Sequence, residues 1–180
     1  MPAKPAVIAL ALLCLCGRAP AGVLSATDAQ RLRDYEQRVI PADRETPSLR
    51  DLATRVEALI ALAESAGAAF GGGAAVDVHP MVRDFPAGGG RALEMMVGSL
   101  RTIDDPRAFS PAEWIAMLAE VKAEIAERLD YDAAVLKAYQ RTLAPGAPSL
   151  EQSLIRYDER PDAAAHWSRF QQTRARSPGF

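Results

Sequence analysis

The stretch that decides the fold runs from Ser110 to Leu143 and reads SPAEWIAMLAEVKAEIAERLDYDAAVLKAYQRTL. Ser110-Pro111-Ala112-Glu113 is a capping box with proline at the first helical position. The serine hydroxyl and the glutamate carboxylate are spaced to satisfy each other's free backbone N–H, and proline has no N–H to lose there. From this start Trp114, Leu118, Val121, Ile125 and Leu129 follow at intervals of three or four, the period of one helical face. The pattern resumes with Leu136, Tyr139 and Leu143. It predicts a long helix over 111–143, either unbroken or bent near Asp130. Ala144-Pro145-Gly146-Ala147-Pro148 stops it.

The same period recurs on both sides. Upstream, Arg91 to Ile103 reads as a short helix with Leu93, Met96, Val97 and Leu100 inward. Ser48 opens another, with Asp51 in its first turn and Leu49, Leu52, Val56, Leu59, Ile60 and Ala63 on one face. Thr27 is placed to cap a first helix as far as Ile40, carrying Leu32, Tyr35 and Val39, with Pro41 ending it and Pro47 closing a linker. Downstream, one helix is expected from Ser149 to Glu159. The last starts at Asp162 and carries Trp167 and Phe170. Only Val76-Asp77-Val78 resembles a strand. The expected fold is all-α, a single helical domain over 22–173 built as a bundle of four to six helices, followed by a frayed basic tail at 174–180. A long Gly-rich loop over 71–90 interrupts it, holding six of the twelve glycines together with Pro80 and Pro86.

The N-terminus carries an export signal. Lys4 supplies a positive charge, Ala6 to Cys16 is an unbroken apolar run, and Ala19-Pro20-Ala21 offers the small-x-small pattern of a cleavage site. The run is too short to span a bilayer as a helix, which takes about 20 residues. Residues 1–21 are therefore expected to be a signal peptide, giving a periplasmic or secreted protein without a transmembrane helix. Cys14 and Cys16 both lie within this segment, so the mature chain would have neither a disulfide nor a thiol. An alternative processing, with Cys16 as a lipid-anchored first residue, is disfavoured by Leu15, because lipoprotein signals place a small residue before the cysteine.

Composition and motifs exclude several chemistries. The net charge of −2 argues against a general nucleic-acid binder, which needs many phosphate contacts. No P-loop, Cys-x-x-Cys-His or Gly-x-Ser-x-Gly pattern is present. His79 and His166 are the two histidines, and neither sits in a His-Glu-x-x-His or Glu-x-x-His arrangement. No metal site and no cofactor are expected from the sequence.

Three polar constellations remain. Asp77, His79, Arg83 and Asp84 lie within the Gly-rich loop, with Arg91 just after it. They offer a base, an orienting carboxylate and an anion-holding arginine to a small molecule or metal. Glu113, Glu120, Glu124 and Glu127 fall within about 60° of arc on the long helix. They offer a surface to a cation or a basic partner, but the expected reading is a solvated face, partly paired by Glu124 with Arg128 four residues on. Trp167, Phe170 and Arg169, near His166 in the last helix, offer an aromatic and basic anchor for a partner. The expected function is a non-catalytic interaction subunit, adaptor or chaperone-like component of an envelope system. Another envelope protein is its expected partner, and the alanine-rich helices also allow a homo-oligomer. A ligand or metal site in the loop 71–90, on an enzyme or a binding protein, is the alternative.

Overall fold

The computed structural model describes residues 24–70, 89–105, 108–158 and 162–176. The chain divides into two units, Met1–Leu32 and Arg33–Phe180. Every regular element among the described residues is helical, so the fold is all-α. In chain order these are α1 (Ala26–Asp34), a π-helical segment (Tyr35–Val39), α2 (Ile40–Phe70), α3 (Arg91–Arg101), α4 (Pro111–Thr142), α5 (Leu150–Asp158) and α6 (Asp162–Ala175). No helix among the described residues is long and apolar enough to cross a membrane.

In the first unit, Ser25 rather than Thr27 starts α1. Its hydroxyl accepts the Asp28 backbone N–H at 3.1 Å and donates to the Asp28 carboxylate at 2.6 Å. Asp28 also pairs with Arg31 one turn on. Leu24 and Leu32 are both exposed, and α1 buries none of its residues.

In the second unit, neither Pro41 nor Pro47 ends a helix. Both lie within α2, where a break and a linker were expected. Proline normally clashes with the carbonyl four residues back and removes one hydrogen bond. The π-helical turn just before Pro41 widens the backbone, and the Ile40 N–H reaches back five residues to the Tyr35 carbonyl. At Pro47 the missing bond falls on the carbonyl of Asp43, an exposed residue, where the loss costs least.

Helix α4 is the spine of this unit. It runs as one continuous helix from Pro111 to Thr142, about 48 Å at the α-helical rise. Its capping box forms as the sequence predicts. Ser110 Oγ accepts the Glu113 N–H, and the Glu113 carboxylate accepts the Ser110 N–H at 2.7 Å. Ser110→Ala is expected to lower unfolding free energy by about 1 kcal/mol, read from the urea denaturation midpoint. No change would mean that packing alone fixes this end.

Two apolar cores hold the two halves of α4. Its first half packs Trp114, Met117, Leu118, Val121 and Ile125 against α2, α3 and Phe170 of α6. Its second half packs Val135, Ala138 and Tyr139 against Val39, Ala42 and the α5 residues Leu150 and Leu154. The inward register in that second half differs from the expected one. Leu136 is only half-buried and Leu143 is exposed, whereas Asp132, Val135, Ala138 and Thr142 face in. A continuous helix keeps its 3.6-residue period, and that period carries position 132 to the inside although it is an aspartate.

All four expected residues of α3 are buried. The helix begins after Gly89 and Gly90, whose φ values of 89° and 90° lie in the region that L side chains avoid. Gly89 is buried, and a Cβ there would overlap the Leu93 and Leu49 side chains. Gly89→Ala should therefore cost about 1–3 kcal/mol, combining backbone strain with a clash in the core. A thermal melt of the variant checks it, and an unchanged Tm would contradict the geometry. At the other end, α6 continues through Arg174 to Ala175, and Arg174 donates to the Ser99 hydroxyl. Arg174 and Ala175, placed by expectation in the frayed tail, are thus helical, and residues 177–180 of that tail lie outside the described residues.

Candidate functional site

The polar cluster between α4 and α6 is built by helical periodicity. Glu120, Glu124 and Glu127 are spaced by four and three residues on α4, and His166 and Arg169 by three on α6. Each set therefore forms a row along one face. Phe170 anchors α6 in the main core, and Trp167 stacks on Phe170 with ring centroids 5.8 Å apart. This docking brings the two polar rows together.

His166 sits between two carboxylates. Its Nδ1 lies 2.7 Å from Glu120 Oε2 and its Nε2 lies 3.0 Å from Glu127 Oε1. Arg169 Nε donates to the other Glu120 oxygen at 2.8 Å, and its Nη2 lies 2.7 Å from His166 Nδ1. A proton on Nδ1 serves Glu120, whereas a lone pair there serves Arg169, so the ring's protonation decides which contact is the hydrogen bond. Burial disfavours the charged form of both Glu120 and His166, but their partners outweigh it. Arg169 and His166 hold the Glu120 carboxyl below its usual range, and Glu120 and Glu127 raise His166 above its usual value. Glu124 is only 5% exposed.

The acidic row is thus no solvated face. The expected pair of Glu124 with Arg128 is replaced by Arg128 on Glu45 at 3.0 Å and on Asp132 at 3.7 Å, with Tyr131 beneath the guanidinium. A central helix in a bundle is covered on more than one side. A carboxylate row opposite the apolar stripe of α4 is therefore available to another helix.

A second polar region adjoins Arg128. Gln37, Arg38, Pro41, Ala42, Arg128, Tyr131 and Asp132 line a cavity of about 110 Å³. That volume holds a few waters, at about 30 Å³ each, and falls below the roughly 300 Å³ where ligand pockets begin.

Of the candidates named from sequence, Asp77, His79, Arg83 and Asp84 lie outside the described residues. Arg91 is the first residue of α3 and is exposed. Phe170 is fully buried, Trp167 packs against the same core, and Arg169 is half-exposed on Glu120. The residues that sequence reasoning missed are His166 with Glu120 and Glu127, which are 46 and 39 positions away from it. The available signal was charge complementarity between an acidic row on one helix and a His/Arg row on another. In comparisons with protein-family models, curated proteins and solved structures, nothing matches the chain.

Proposed function

We propose that the protein is exported by its N-terminal signal and works in the periplasm or outside the cell. There it acts as a non-catalytic interaction subunit, adaptor or chaperone-like component of an envelope system. The observation that carries this reading is how the converging polar groups are used. His166 is engaged by Glu120 and Glu127, Arg169 by Glu120, and Arg128 by Glu45. Each pair ties one helical element to another, so among the described residues these groups serve packing between helices. Catalysis asks for the opposite, with tuned groups aimed at a bound molecule. Function then falls to the surface. The exposed Leu24 and Leu32, just after the expected cleavage point, suit contact with another envelope protein.

The test is mild detergent extraction of the envelope fraction, followed by size-exclusion chromatography and mass spectrometry. Elution in a fixed ratio with a second envelope protein, weakened by Leu32→Glu, is the expected result. Elution as a lone chain that turns over a substrate by itself would refute the reading.

A further inference from the structure

Glu124, Glu127 and His166 each place one ligand atom within 4.8 Å of the others. We propose that these three side chains bind one divalent transition-metal ion of the zinc type, clamping α6 to α4.

The orientation of the imidazole is the first reason. Glu120 Oε2 lies 2.7 Å from Nδ1, so Glu120 can hold a proton there and turn Nε2 toward Glu127 at 3.0 Å. A carboxylate that fixes the tautomer of a ligating histidine from behind is the usual outer support of such a metal site. Charge is the second. Glu120 takes the guanidinium of Arg169, while Glu124 and Glu127 bring two carboxylates to a divalent ion. Rigidity is the third. Both carboxylates stand on consecutive turns in the middle of a 32-residue helix, and His166 is set four residues before the buried Phe170. The donors are therefore held in place before any ion arrives.

Burial and donor type decide the class of ion. Glu124 and His166 are 5% and 8% exposed, whereas the Glu127 side chain is 29% exposed and leaves an open side for water to complete the coordination. An imidazole nitrogen with two carboxylate oxygens suits zinc, cobalt or nickel better than calcium or magnesium, which take oxygen alone. The ion takes the position of the Nε2 proton, and that proton leaves to solvent.

Isothermal titration of the purified, chelator-stripped chain with zinc chloride tests the proposal, with thermal melts alongside. One zinc ion per chain is expected, and Tm should rise by about 5 °C or more at a hundredfold excess over Kd. Glu124→Gln and His166→Gln keep the side-chain size and should weaken binding by about tenfold or more. Glu64→Gln, exposed on α2, should leave it unchanged. The proposal is overturned by a chain that does not bind zinc. It is equally overturned by binding that Glu124→Gln and His166→Gln do not alter, which would place the ion elsewhere on the chain.

Discussion

Truncation of Phe170 to alanine is expected to cost about 3–5 kcal/mol of stability. Phe170 is fully buried and is the residue that α6 contributes to the main core, where it meets the side chains of α2, α3 and α4. Removing the ring leaves a cavity that helices packed on several sides cannot close. It also removes the stacking partner of Trp167, and an aromatic pair adds about 0.5–1.5 kcal/mol beyond its area. The urea midpoint should fall without a change in slope. Amide exchange in α6 should accelerate more than in α4, since the helix loses its anchor. A loss under about 1 kcal/mol would mean that α6 does not depend on this contact.

Arg128→Ala is expected to be nearly as damaging, at about 3–5 kcal/mol. Arg128 spans from Glu45 on α2 to Asp132 one turn along α4, and Asp132 has no exposed side-chain surface. The variant removes this cation from the side of Asp132, whose Oδ2 also lies 3.5 Å from the Thr46 hydroxyl. The cost is expected to arise from weakened compensation of the buried Asp132 charge, so removing that charge as well should recover much of it. The double variant Arg128→Met with Asp132→Leu should therefore be more stable than Arg128→Ala. Equal stability of the two would show that the arginine acts through packing on Tyr131 instead.

Local signals in the sequence carried most of the fold. The Ser110–Glu113 box set the start of α4 and the Pro/Gly run set its end, because both depend on residues within a few positions of each other. Prolines misled the reading at 41 and 47. A π-helical turn and an exposed position absorb what proline removes, and neither is visible as a residue type. Beyond Ile125 the expected stripe followed leucines, while the helix followed its own period and buried Asp132. The sequence pattern favoured hydrophobic side chains, yet Arg128 made a charged one tolerable inside. The His166 cluster was the least legible part, since its members meet only after α6 has folded back along α4. From sequence, His166 was no more than the neighbour of Trp167, and the glutamates were read first as a solvated face and second as a surface for a cation or basic partner, with nothing to link the two rows.

The proposed envelope role depends on the chain leaving the cytoplasm, and N-terminal sequencing of the protein recovered from the envelope or secreted fraction addresses that directly. The expected first residue is Gly22, after cleavage following Ala19-Pro20-Ala21. A first residue at a lipidated Cys16 would contradict cleavage at that site, and an intact Met1 in the cytoplasm would contradict export altogether.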